Sequence, residues 1–230
     1  MSSVSNGISR ERIININDSL RISNLHKKEL NFKFVIIGEF GVGKTSIIAR
    51  YTEGQFSSTY KVTIGADFAL KTLEWDEDTR VNLHLWDIAG HERFGSLTGV
   101  FYRHAVAAAI VFDLTRPETF SSIEKWLSDL RKKVHLPGGQ NIPVVILANK
   151  GDITVQTVPP ELEDFCKANK ILAWFITSAK NNLHIDEAMI RLTNAAIQNH
   201  CNLQFPLITD DIVSLADEAP KNNTKRNTCC

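Results

Sequence analysis

The chain predicts an α/β fold: a mostly parallel, six-stranded sheet with one antiparallel edge strand and helices on both faces. Three observations carry this. Short apolar runs alternate with helix-period segments, the pattern of strand–crossover–strand units. The first apolar run, Phe34-Val-Ile-Ile, passes through the glycine-rich turn Gly38-Glu39-Phe40-Gly41-Val42-Gly43-Lys44-Thr45 into a helical segment. One link, at 75–80, is too short for a crossover, so the two strands it joins must be antiparallel.

Residues 1–28, rich in Ser, Asn and Ile, predict a disordered extension; 29–200 predict one domain and 201–230 a flexible tail. Strand one is 32–38, continuously apolar as in a sheet covered on both faces. A helix follows from 43 to about 53, then a loop at 54–65 and a strand at about 66–75. The run from Trp75 to Arg80 has hairpin-turn composition, and 81–87 is the next strand. Residues 88–98, with Gly90 and Gly95, read as a flexible loop that leads into a short helix ending near His104. Ala107 to Asp113 is a buried strand. Pro117 opens a helix at a position that suits proline, and it runs to about His135, where Leu136-Pro-Gly-Gly139 stops it. Pro143 to Ala148 is a strand, Pro159 and Pro160 start a helix to about Lys170, Ala173 to Thr177 is the last strand and 184–199 the last helix. Ligands of such sheets bind at the carboxyl ends of strands, so the loops after Ile37, Leu85, Leu147 and Ile176 should meet at one site.

Among 230 residues, 43% are hydrophobic, enough for a full core around one domain with tails. Formal net charge is zero, which argues against nucleic acid as a partner. Cys166 and Cys201 are far apart and read as ordinary thiols, whereas Cys229 and Cys230 end the given sequence, which fits a reducing compartment. There is no apolar signal region and no run of 18 apolar residues. Ser2 excludes N-myristoylation, so membrane attachment is expected from the other end.

The chemistry begins at the G-x-x-x-x-G-K-T turn. Glycines let successive backbone N–H groups wrap around phosphates, and the helix starting near Gly43 adds its positive end. Lys44 reaches β- and γ-phosphates and the Thr45 hydroxyl binds Mg²⁺. Asp87 ends an apolar strand about where such a site needs a carboxylate for the metal's water shell, and Gly90 allows close backbone approach to a γ-phosphate. In Asn149-Lys150-Gly151-Asp152, the Asp152 carboxylate can accept two hydrogen bonds from a guanine edge; adenine offers neither donor. Asn149 can also tie down the phosphate turn, and the Lys150 stem can cover the ring. The Ala179 N–H of Ser178-Ala179-Lys180 can donate to guanine O6. Each motif alone has a bland reading as a strand-ending turn; their order gives them weight.

Together with Thr63, these motifs resemble a Ras-like small GTPase over about residues 30–200, and hence the P-loop small-GTPase fold. Within that superfamily the chain resembles the Rab family. The matching segments are Thr63-Ile64-Gly65-Ala66-Asp67-Phe68, Trp86-Asp87-Ile88-Ala89-Gly90-His91-Glu92-Arg93-Phe94, Phe101-Tyr102-Arg103-His104-Ala105 and Ile110-Val-Phe-Asp113, and Cys229-Cys230 is similar to a double-geranylgeranylation site. Ile88, Phe40 and Val134-His-Leu-Pro-Gly-Gly139 resemble the Rab subgroup of lysosome-related organelles such as melanosomes.

The resemblance implies a GTP/GDP and Mg²⁺ site. Gly41, Val42, Gly43, Lys44, Thr45 and Ser46 would hold phosphates; Thr45 and Thr63 would ligate Mg²⁺ directly and Asp87 through water. Gly90 and Thr63 would sense the γ-phosphate, Phe56 would stack on guanine, and Asn149, Lys150, Asp152, Ser178, Ala179 and Lys180 would form the base pocket. Ile64, Phe68, Trp86 and Tyr102 would meet effectors; core packing is the plain reading of the aromatic three, and both roles can hold at once. It further implies an exchange factor, a GTPase-activating protein, a prenylation escort, a GDP-dissociation inhibitor and a membrane reached through geranylgeranyl groups. The location implied is the cytoplasmic face of endosomes, lysosome-related organelles or phagosomes, in exchange with cytosol. The tail offers no polybasic patch, so two lipid chains on Cys229 and Cys230 would have to suffice.

One place departs from the family. A Gln usually follows the Asp-x-x-Gly segment and orients the attacking water; here it is His91. Phe40 stands where most of the superfamily has Gly or Ser. With Lys44 and Gly90, His91 is the expected catalytic residue, and turnover is expected to be slow. The alternatives are that His91 substitutes adequately while Phe40 points outward, or that the chain is a GTP-loaded adaptor with negligible hydrolysis. A different P-loop enzyme, an ATPase or kinase, is disfavoured by N-K-x-D.

Overall fold

The computed structural model describes residues 27–59, 61–91, 98–153 and 158–203. The strands are β1 (Lys28–Ile37), β2 (Ala66–Glu74), β3 (Thr79–Ile88), β4 (Ala105–Asp113), β5 (Val144–Asn149) and β6 (Ala173–Ile176). They form one six-stranded sheet in the order β2-β3-β1-β4-β5-β6. Only β2 runs antiparallel, on β3, at the edge. The helices are α1 (Lys44–Glu53), α2 (Thr98–Tyr102), α3 (Pro117–Ser121), α4 (Ile123–Lys133), α5 (Leu162–Ala168) and α6 (Ile185–Leu203).

Two apolar cores explain why this sequence closes into layers. On one face Phe34 and Ile36 of β1 pack with Ile47 and Tyr51 of α1 and with Met189 and Leu192 of α6. On the other, Val35 and Ile37 of the same strand pack with Trp126 and Leu127 of α4 and Leu162 of α5. Successive side chains of a strand point to opposite faces, so an unbroken apolar run serves both cores.

Several boundaries differ from the sequence reading. β1 begins at Lys28, four residues early, because its polar start pairs with the equally polar Thr79 and Arg80 of β3. Polar pairing at a strand end leaves no apolar signal. The helix expected from Pro117 to His135 is two, parted at Ser122, whose hydroxyl donates back to the Glu118 carbonyl. Side-chain bonding of this kind competes with the regular ladder. α5 is shorter than expected and α6 longer.

Strand β1 lies between β3 on one side and β4 on the other, so chain connections leave its carboxyl end in both directions. That reversal opens a crevice above the sheet. The ends of β1, β3, β4, β5 and β6 all deliver polar residues there. No described helix is long and apolar enough to cross a membrane. Residues 1–26 of the expected 1–28 extension, most of the expected tail and both Cys229 and Cys230 lie outside the described residues, while Lys28, expected in the extension, begins β1.

Candidate functional site

A cavity of about 570 Å³ opens at this crevice, lined by Phe40, Gly41 and Gly43 to Ser46, by Phe56, Thr63, Gly90 and His91, and by Asn149, Lys150, Asp152, Ala179 and Lys180. The four loops expected to converge do so.

The turn after β1 is built by backbone that only glycine adopts easily. Gly41 has φ +71° and Gly43 φ +98°. A Cβ on Gly43 would also collide with the Asn149 amide. Asn149 Nδ2 donates to the Val42 carbonyl at 2.8 Å, tying the turn to the end of β5. Lys44 folds back over the turn, its Nζ donating to the Gly38 and Glu39 carbonyls, each at 2.9 Å. Its amine is buried; burial pushes the pKa down to about 8, against the pull of Asp87 and Glu39.

Three oxygens meet beside it. Thr45 Oγ1 donates to Asp87 Oδ2, Thr63 Oγ1 reaches the same oxygen at 3.1 Å, and the two hydroxyls lie 3.1 Å apart. Asp87 Oδ1 is buried with no hydrogen-bond partner. A buried carboxylate oxygen left orphaned beside two converging hydroxyls suits a hard divalent cation and its water. Gly90 presses on the turn so closely that a Cβ there would fall within the Phe40 and Glu39 backbone.

At the other end of the cavity Ser178 Oγ donates to Asp152 Oδ1 at 2.6 Å, which sets the carboxylate's rotamer. Lys150 takes a left-handed φ of +66° and its Nζ pairs with Asp113 Oδ2 at 2.7 Å. Ala179 N–H is turned toward Asn149 Oδ1, at 3.4 Å, rather than into the open cavity. Phe56 stands half-exposed on the rim.

Of the expected partner-facing residues, Ile64 is 88% exposed and Phe68 is exposed on the β2 edge. Trp86 lies beside Phe68, ring centroids 6.3 Å apart. Tyr102 is fully buried and serves the core. Glu92, Arg93 and Phe94 lie outside the described residues.

The sequence reading assigned no role to Asp113 or Arg116. Asp113 ends β4, fully buried, and all its acceptor sites are used. Oδ1 takes the Thr115 N–H at 2.9 Å and hydroxyl at 2.6 Å; Oδ2 takes Arg116 Nε at 3.0 Å and Lys150. Burial opposes its charge, but the bonds from Lys150, Thr115 and Arg116 outweigh that and hold its carboxyl below the usual range. Its position at the carboxyl end of an apolar strand, like that of Asp87, was the available signal.

A phosphate taken up beside Lys44 would pair with its ammonium, whose proton burial has loosened. Affinity for a nucleotide polyphosphate should therefore be flat below pH 8 and about tenfold weaker at pH 9 than at pH 7, with proton uptake on binding above pH 8. Calorimetry in two buffers of different ionisation enthalpy measures both; affinity unchanged to pH 9 would contradict it.

Comparison with known proteins adds an independent line. A family model described as Ras family matches residues 33–198. The chain is 47% identical over 205 residues to the mouse (Mus musculus) Ras-related protein Rab-32, covering 88% of this chain and 92% of that protein. It is 46% identical over 200 residues to Rab-32B of Dictyostelium discoideum, covering 86% and 77%. With human (Homo sapiens) Rab-7L1 it shares 42% over 204 residues, covering 86% and 97%.

Proposed function

The chain belongs to the Ras family of small GTPases, among its Rab proteins, and on that footing we propose a slow-cycling membrane switch whose rate is limited by Phe40 and His91. Guanine-nucleotide binding and GTP hydrolysis come with the family.

Lys44 and the 41–46 backbone hold the phosphates, Asp152 and Asn149 read the base with Ser178 behind, and Phe56 covers one face of it. Thr45 and Thr63 would hold Mg²⁺ directly and Asp87 through water, and the ion would supply charge neutralisation for the phosphates. The unpaired Asp87 Oδ1 supports that assignment. Water is the nucleophile, and Gly90 and His91 address its end of the cavity.

The observation that carries the slow reading is the Phe40–His91 pair. Their rings stack with centroids 5.1 Å apart and planes 13° from parallel. A stacked imidazole gives its face to the phenyl ring and has only its edge for hydrogen bonds, so its orientation toward a water is set by Phe40. A flexible Gln is not constrained in this way. His91→Gln is expected to raise the single-turnover GTP hydrolysis rate about tenfold, a fraction of what a well-placed water-orienting group supplies. No acceleration would sink the reading. The same stack favours the second reading, an adaptor with negligible hydrolysis; rates with and without cell extract separate the two.

The exposed Ile64 and Phe68, with Trp86 beside them, form the effector face. As a Rab protein the chain acts on an intracellular membrane; Phe40, Ile88 and the 134–139 segment favour endosomes or lysosome-related organelles, and the Cys229-Cys230 pair favours attachment through geranylgeranyl groups. An exchange factor, an activating protein, a prenylation escort and a GDP-dissociation inhibitor complete the cycle.

A further inference from the structure

Arg116 joins the two ends of the nucleotide cavity. It precedes Pro117, and a residue before proline is confined to extended backbone; Arg116 has φ −132° and ψ 88°. That conformation sends its side chain across to the turn after β1 instead of along α3. Thr119 fastens the segment, its hydroxyl donating to the Arg116 carbonyl at 2.7 Å and accepting the Asp113 N–H at 3.0 Å.

The guanidinium is engaged on three sides. Nε donates to Asp113 Oδ2 at 3.0 Å. Nη2 donates to the Phe40 carbonyl at 2.7 Å. The guanidinium carbon stands 5.5 Å from the centroid of the Phe40 ring, within cation–π range. Phe40 in turn stacks on His91. Asp113 Oδ2 also takes Lys150 of the base-reading segment. A continuous set of contacts thus runs from Lys150 through Asp113 and Arg116 to Phe40 and His91.

Among the described residues, Arg116 and His91 are the side chains set against the Phe40 ring, and Phe40 is 49% exposed in a turn. We propose that Arg116 is a positioning residue for hydrolysis, fixing Phe40 against His91 and thereby setting the orientation of the water-facing imidazole. This rests on the reading of the Phe40–His91 pair as the brake. A planar fork with several donors suits the task, because one group must bond Asp113 and the Phe40 carbonyl while facing a ring. A lysine ammonium can reach one or two of these partners at a time.

The test uses the full chain loaded with GDP for NMR and with GTP for single-turnover hydrolysis. In the wild type, the His91 ring protons should carry the upfield shift of an imidazole stacked on a phenyl ring. Arg116→Ala and Phe40→Ala should each release that shift and each raise the hydrolysis rate about threefold or more. Arg116→Lys should lie between them and the wild type. The double variant should match Phe40→Ala alone, since two links of one chain do not add. The proposal is overturned if Arg116→Ala leaves the His91 resonances at their wild-type position, or if the two rate effects add. Loss of the ring shift with no gain in rate, and no gain in His91→Gln either, would instead retire the brake reading while leaving Arg116 as the anchor of the stack.

Discussion

Replacing Asp152 with alanine is expected to weaken GTP and GDP binding about 10²–10⁴-fold and to erase most of the preference over ATP. A hydrogen bond to a charged group is worth about 1.5–3 kcal/mol, and the proposed guanine edge makes two. At about 1.4 kcal/mol per tenfold, their loss gives that range. Selectivity falls with affinity, because adenine has no donors for the half-buried carboxylate and leaves it unpaired on that side. The carboxylate is held ready by Ser178 Oγ at 2.6 Å, so Ser178→Ala should show a smaller loss of the same kind. Displacement of a fluorescent GDP analogue by unlabelled GDP and by ATP reads both quantities. If Asp152→Ala still excludes ATP, Asp152 does not read the base.

The base pocket and phosphate turn could be read from sequence because each is local. Eight consecutive residues make the turn, and four make the base-reading segment. Their physical requirements, left-handed glycines and a carboxylate at a strand end, leave marks on residue type. The strands and the direction of the edge pair were accessible for the same reason: apolar runs mark buried strands, and the short 75–80 link forces the antiparallel pair. What escaped was non-local or polar. The first residues of β1 pair with Thr79 and Arg80, and neither partner is apolar. The Arg116–Phe40 bond spans 76 positions, and nothing in either neighbourhood marks it. Phe40 and His91 stood out singly as departures from a family pattern; that they touch is a property of the fold. Tyr102 fitted both an effector face and the core, and its full burial shows the packing role.

Gly90→Ala is expected to leave GDP affinity within about threefold of the parent while cutting GTP hydrolysis and GTP-dependent effector binding on the order of 10²-fold, the loss seen when a preorganised donor is removed. The reason is space. A Cβ at Gly90 would meet the Phe40 nitrogen and Cα and the Glu39 carbonyl carbon, all backbone, so no rotamer change relieves it. Either the turn after β1 moves, or the loop after β3 stands off. The first would disturb phosphate binding in both nucleotide states. Among the described residues, the start of that loop is joined to the rest by the Ala89 N–H, which donates to the Gly65 carbonyl at 2.9 Å. The turn, by contrast, is pinned by Lys44, Asn149 and Arg116. The loop should therefore yield, taking the Gly90 N–H away from the γ-phosphate, a loss that outweighs any gain from freeing His91 of Phe40. Gly99→Ala is the matched control, since a Cβ there meets nothing within 4 Å. Affinity for GDP, single-turnover hydrolysis and effector capture on the three proteins distinguish the cases. Hydrolysis within threefold of the parent would mean that the loop tolerates the methyl group and that the close approach at Gly90 has no part in sensing the γ-phosphate.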